Sequence, residues 1–188
     1  EQEKVTLEQG KEFVLTAKDV VGTKDMVSIT YKKLMQDVKE GMKILLDDGL
    51  IEMSVLKVTD QDIVCRVENG GVISSHKGVN VPGAEISMKY ISPKDKEDIT
   101  FGAKQGIDFV AASFVRSAHD VMDLRNLLKE NGHEEIKIIA KIENRQGIEH
   151  IDEILEASDG VMVARGDMGV EIPLYELPPI QKKIIKKT

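Results

Sequence analysis

An α/β protein in two parts is the fold class this sequence predicts, with a parallel sheet of strand–helix units following a strand-rich region. Three observations carry the prediction. Up to about Val81, short runs of Val, Ile and Leu are broken by turn residues without a convincing helix. After Gly83, apolar strands alternate with amphipathic helices. Two of those strands, KIIAKIE and GVMVARG, end in ionisable residues and run on into helix.

In the first part the strands are FVLTAK, MVSITY, KILLDD, LIEMSVLKV and IVCRVE, separated by Gly22, Asp48-Gly49, residues 60–62 and Asn69-Gly70-Gly71. Asp48-Gly49 signals a hairpin, because both residues tolerate positive φ. Alternation in IVCRVE puts Ile63, Cys65 and Val67 on one face, which makes the single cysteine a buried thiol. Residues 34–41 have room for one helical turn. Strands at this spacing suggest a small antiparallel barrel or sandwich.

In the second part Ser92 is placed to cap a helix with Pro93 at its first position, and Asp95, Glu97 and Asp98 suit the positive end of the helix dipole. FVAASF (residues 109–114) is the next strand. A helix follows with Val121, Leu124 and Leu128 on one face, opened by Ser117 and closed at Asn131-Gly132. KIIAKIE leads to a helix carrying Ile148, Ile151, Ile154 and Leu155. GVMVARG is the third strand, and after Pro178-Pro179 a last helix groups Ile180, Ile184 and Ile185. Right-handed crossovers make such units either a doubly wound sheet or part of a β/α barrel, and three strands are too few to close a barrel of eight.

Composition narrows the function. The 188 residues are 41% hydrophobic, ordinary for a chain that buries a core. A net charge of −7 argues against nonspecific nucleic-acid binding and against an anionic membrane surface. Aromatics make up 4% with no Trp, too few for base-stacking platforms. No apolar run reaches the roughly 20 residues that cross a bilayer. One cysteine allows no internal disulfide, so a cytoplasmic setting is expected. The chain starts at Glu1 rather than Met and is expected to be a piece of something longer.

The residues that point to chemistry lie between Lys137 and Pro173. Alternation sends Ile139, Lys141 and Glu143 to one side of their strand and Ile138, Ala140 and Ile142 to the other. Asp167 follows the next strand, so all three charges belong to the rim where the strand C-termini of a parallel sheet gather and ligands bind. Two carboxylates and a cation there suit a divalent metal holding an anionic substrate. The competing readings are a salt bridge at a sheet edge for Lys141 and Glu143, and a helix N-cap for Asp167. Gly166 and Gly169 beside Asp167 weaken the second, because they permit close backbone approach to an anion. Lys77 is locally a basic residue in a Gly/Pro connection, and Asp47 and Asp48 most simply make a turn. The four histidines show no metal spacing, and there is no P-loop.

IIAKIENRQGI closely resembles the active-site signature of pyruvate kinase, and GVMVARGDMGVEIP resembles that family's second metal-binding segment. LLDDGLI, VENGG, KGVNVPG, QGIDFVAASFVR and DEILEASDG resemble the family in the same order, so the likeness runs through nearly the whole chain. The resemblance implies a partial β/α (TIM-type) barrel over residues 82–188, with residues 1–81 as an inserted all-β barrel lid. It implies phosphoryl transfer from phosphoenolpyruvate to ADP, giving pyruvate and ATP in glycolysis. Lys141 would stabilise the transition state and touch substrate, Glu143 and Asp167 would hold Mg²⁺, and Gly166 and Asp167 would contact substrate. Lys77 would reach the nucleotide, with Asp48 near the cleft. The family also uses K⁺, whose ligands lie outside this chain, and its full-length members are homotetramers. Because the family's first three barrel strands and the segment after the sixth are absent, the chain alone is expected to be inactive and to self-associate. A Mg²⁺-dependent pyruvate-enolate aldolase or lyase, and a non-catalytic ligand-binding module, are the alternatives.

Overall fold

The computed structural model describes residues 4–188 and divides into two compact units, one reaching Met88 and the other starting at Lys89. Val81 and Ala84 both belong to the core of the first unit.

The first unit runs β1 (Val5–Leu7), β2 (Glu12–Thr16), β3 (Met26–Ser28), α1 (Leu34–Asp37), β4 (Lys43–Leu46), β5 (Ile51–Val58), β6 (Asp62–Val67), β7 (Gly71–Ile73) and β8 (Val79–Asn80). Six strands form one sheet in the order β3-β2-β6-β5-β4-β8, and β1 pairs with β7 in a ribbon. The alternation read in IVCRVE holds: Ile63, Cys65 and Val67 are all buried, with Phe13, Leu15, Ile44, Met53 and Val55 in the same core. Burial removes the Cys65 thiolate from water and pushes its pKa up to about 12, so the thiol stays protonated and inert. One pair departs from the antiparallel expectation, since β2 and β3 run parallel. The loop between them is tied back by Ser28, whose Oγ donates to the Lys18 carbonyl at 2.7 Å and accepts from the Val20 N–H at 2.7 Å.

The β4–β5 hairpin forms where Asp48-Gly49 predicts it, with Leu46 opposite Ile51. Its turn takes three consecutive residues in the left-handed region, Asp47 (φ 51°), Asp48 (φ 55°) and Gly49 (φ 85°). Asp residues are among the few that tolerate this conformation.

The second unit runs α2 (Pro93–Lys104), β9 (Phe109–Ala112), α3 (Ala118–Glu130), β10 (Lys137–Ile142), α4 (Arg145–Glu149), α5 (Ile151–Ala157), β11 (Gly160–Val163), α6 (Arg165–Glu171) and α7 (Leu177–Ile185). The capping box at α2 is complete: Ser92 Oγ accepts from the Asp95 N–H, and the Asp95 carboxylate accepts from the Ser92 N–H. The three strands pair in parallel in the order β11-β10-β9. This is a mixed α/β unit of the partial β/α barrel class. Ile138, Ala140 and Ile142 on β10 are fully buried in one core with Val121, Leu124 and Leu128 of α3 and Ile151 and Ile154 of α5. Each buried Ile or Leu side chain there contributes about 1.5–3 kcal/mol, which fixes the opposite side of β10 as the one left for Lys141.

Two details differ from the sequence reading. The helix expected through Ile148 and Leu155 breaks at His150, whose ring Nδ1 lies 2.9 Å from the Arg116 carbonyl oxygen. Ile185 does not join Ile180 and Ile184 on the last helix but is 58% exposed, because α7 buries only the side that carries Ile184 and Leu177. Among the described residues no helix is long and apolar enough to cross a membrane.

Candidate functional site

Parallel pairing sets the register of the rim. Lys141 lies opposite Met162, and Ile142 opposite Val163, while the Ala164 N–H donates to the Ile142 carbonyl. Glu143 and Ala164 therefore leave the sheet side by side, with the β9–α3 loop on the other flank of β10.

Glu143 is the deepest charged group of the second unit, 1% exposed. A buried carboxylate costs several kcal/mol unless compensated. One oxygen, Oε2, accepts the Phe114 N–H at 2.5 Å. The other, Oε1, lies 2.6 Å from the Lys141 ammonium, yet the approach is not that of a hydrogen bond and Oε1 has no hydrogen-bond partner among the described residues. Oε1 is thus met by the charge of the ammonium rather than by a hydrogen bond. The Lys141 side chain keeps 23% exposure, so its ammonium sits where the buried pair meets solvent. Its hydrogen bond goes to Ser113 Oγ at 2.8 Å.

The β9–α3 loop that receives these contacts is pinned at each residue. Phe114 is in the left-handed region (φ 54°), a conformation costing a bulky L-residue roughly 1–2 kcal/mol, and this conformation accompanies the N–H bond to Glu143. Tyr90 O–H donates to the Ser113 carbonyl at 2.8 Å, and Asn144 Nδ2 donates to the Val115 carbonyl at 3.3 Å. Burial raises the Tyr90 phenol well above its ordinary range, so it remains a donor. Arg116 is fixed to Asp120 by two side-chain bonds of 3.0 Å.

The sequence-predicted residues divide into three groups. Lys141 and Glu143 are brought into contact. Gly166 and Asp167 fall in the first turn of α6, a seven-residue helix whose start no side chain caps; Asp167 is exposed, and its carboxylate has no partner among the described residues. They follow β11 at the rim where Glu143 follows β10, and among the described residues no hydrogen bond or ion pair joins them to Glu143 and no group of three or more metal-ligating side chains exists. Lys77 and Asp48 lie in the first unit. There Lys77 Nζ pairs with Asp47 Oδ1 at 2.9 Å, and the Asp47 N–H donates to the Gly78 carbonyl at 3.1 Å, so the KGVNVPG segment is joined to the hairpin turn.

Sequence reasoning passed over Ser113 and Phe114, which it took as the end of a strand. One signal was available: Ser113-Phe114 follows β9 at the same rim where Glu143 follows β10, and strand C-termini in a parallel sheet supply ligand-facing groups.

The model of the pyruvate kinase barrel domain matches residues 1–188. The chain belongs to the pyruvate kinase family. It is 54% identical over 185 residues to the pyruvate kinase of Geobacillus stearothermophilus, an alignment covering 97% of this chain and 32% of that protein. Identity to the pyruvate kinase of Clostridium acetobutylicum is 49% over 185 residues, covering 98% of this chain and 39% of that one. To the Clostridium perfringens pyruvate kinase it is 50% over 182 residues, covering 96% and 38%. The chain thus spans between about a third and two-fifths of the length of these relatives.

Proposed function

We propose that these residues work within a pyruvate kinase, moving the phosphoryl group of phosphoenolpyruvate to ADP. The observation that carries this reading is the Lys141 ammonium held at the sheet rim by its ion pair with the buried Glu143 carboxylate. In the transfer, the P–O bond to the enol oxygen breaks and a P–O bond to the terminal oxygen of ADP forms. The enolate released takes a proton at carbon to become pyruvate. Negative charge spreads over the three equatorial oxygens in a loose transition state. Lys141 is placed to meet that charge, and a preorganised donor of this kind contributes about 2.7–4 kcal/mol.

The donor set also fits Mg²⁺. Carboxylate oxygens are the ligands this hard cation prefers; among the described residues Glu143 Oε1 is buried without a hydrogen bond, and Asp167 on the same rim is an exposed carboxylate without a partner. Glu143 and Asp167 would hold the ion, which when bound supplies Lewis-acid stabilisation of phosphoryl and enolate oxygens. Gly166 and Asp167 would contact substrate, and Lys77 would reach the nucleotide, with Asp48 near the cleft. K⁺ would be held by residues outside this chain. Since the relatives carry the activity over much longer chains, the 188 residues alone are expected to show no turnover.

The test is Lys141→Met in the enzyme that carries this segment. We expect kcat to fall by about 10²–10³-fold. Turnover close to wild type would remove the assignment.

A further inference from the structure

We propose that Ser113 is the positioning residue of this site, its hydroxyl fixing where the Lys141 ammonium points. A lysine ammonium is a point charge on a flexible four-carbon stem, with three donors free to rotate. Such a group serves a developing charge only if something holds it. In this structure Nζ has two neighbours, Ser113 Oγ at 2.8 Å and Glu143 Oε1 at 2.6 Å. The second is an ion pair without hydrogen-bond direction, so it attracts the ammonium without orienting it. Among the described residues only the serine oxygen accepts a directed bond from it. With Ser113 in place, one N–H is committed, one side of the ammonium faces Glu143, and a third direction stays open toward an anion. Without Ser113, the ammonium keeps only its ion pair with Glu143 Oε1, which leaves it free to swing about that oxygen.

Ser113 can do this because its own position is fixed. Its carbonyl accepts the Tyr90 O–H at 2.8 Å, and the next residue, left-handed Phe114, donates its N–H to Glu143 Oε2 at 2.5 Å. One two-residue step thus holds both halves of the pair, the cation by a side-chain oxygen and the carboxylate by a backbone N–H. Ser113 acts through Lys141, not on substrate.

This inference rests on the reading of Lys141 given above, and two measurements separate the two. The first needs no ligand, metal or turnover: side-chain relaxation of ¹³Cε-labelled Lys141 in the full-length enzyme that carries this segment, compared across wild type, Ser113→Ala and Ser113→Thr. Lys141 should be ordered in wild type and Thr and mobile in Ala, with the Ala140 and Ile142 amide shifts unchanged. Equal order in Ala and wild type would overturn the proposal. The second uses the enzyme that carries this segment. Ser113→Ala should lower kcat by about tenfold to a hundredfold, the scale of misplacing a positioned group by about 1 Å, with KM for phosphoenolpyruvate within about twofold of wild type. Thr should restore most of the rate, and in a Lys141→Met background Ser113→Ala should change nothing further. Wild-type kcat in Ala, or a Thr variant as slow as Ala, would overturn it. If Lys141→Met itself turns over normally, the functional reading fails, while the relaxation experiment still decides whether Ser113 orders Lys141.

Discussion

Gly147→Ala sets two effects of opposite sign against each other. Gly147 lies inside α4, where replacing Gly by Ala ordinarily stabilises a helix by about 1 kcal/mol. A Cβ at this position, however, would sit 2.6 Å from the Val115 carbonyl oxygen and 3.4 Å from Asn144 Oδ1. Nonbonded carbon and oxygen approach to about 3.3 Å at closest, so the backbone of the β9–α3 loop must move. That loop is fixed by buried Val115 and by the Asn144 bond to the same carbonyl. Overpacking of this kind costs about 1–3 kcal/mol, and the strained Asn144 bond adds about 1 kcal/mol if lost. Set against the helix gain, the net is a destabilisation of about 1–3 kcal/mol. With a urea slope of about 1–3 kcal/mol/M, the midpoint followed by far-ultraviolet circular dichroism should fall by roughly 1 M. Hydrogen exchange at the Phe114 amide, which bonds Glu143, should accelerate in parallel. A midpoint equal to or above wild type would refute the close-packing argument.

Three further outcomes are expected. Asp159 accepts the Ile138 N–H and pairs with Arg125 and Lys137; the backbone bond first, then those cations, hold its carboxyl below the usual range. A depressed folded pKa stabilises above the unfolded value of about 3.9, and that stability is lost as pH falls through the folded pKa. Asp159→Asn should therefore cost about 1 kcal/mol near pH 7, allowing for solvent screening. It should also flatten the loss of stability in acid; an unchanged acid limb in urea titrations at successive pH values would count against this. Asp48→Val, a β-branched residue at φ 55°, should destabilise the first unit by about 1–2 kcal/mol, whereas Asp48→Gly should not, and equal urea midpoints for the two would contradict the strain argument. Lys77→Met in the enzyme should raise KM for ADP by about tenfold with little effect on KM for phosphoenolpyruvate; the reverse pattern would remove Lys77 from the nucleotide.

Much of the fold was legible because its signals are local. The period-2 pattern of Ile63, Cys65 and Val67, the Ser92–Asp95 box and the apolar stripe of α3 each depend on residues a few positions apart. What escaped depends on distant chain. The continuous stripe from Ile148 to Leu155 contains no breaker, and the break at His150 comes with a bond to the carbonyl of Arg116. The parallel pairing of β2 with β3 follows a loop tied by Ser28, which composition does not announce. At the site, alternation on β10 and a charge at its end were enough to single out Lys141 and Glu143. Ser113 looked like strand, because its meaning lies in a side chain 28 positions away in sequence. Asp167 follows the third strand of the second unit and lies in the first turn of the helix that strand runs into.

The central claim is that Glu143 and Asp167 share one divalent cation beside Lys141, and Mn²⁺ binding followed by electron paramagnetic resonance tests it most directly. Asp167 is exposed and has no partner among the described residues, so Asp167→Asn leaves the fold intact and isolates its role as a ligand. With phosphoenolpyruvate present, the enzyme carrying this segment should bind Mn²⁺ at least about tenfold more weakly after that change, since even indirect partners of a metal have effects of that size. Unaltered Mn²⁺ affinity in Asp167→Asn would contradict the account.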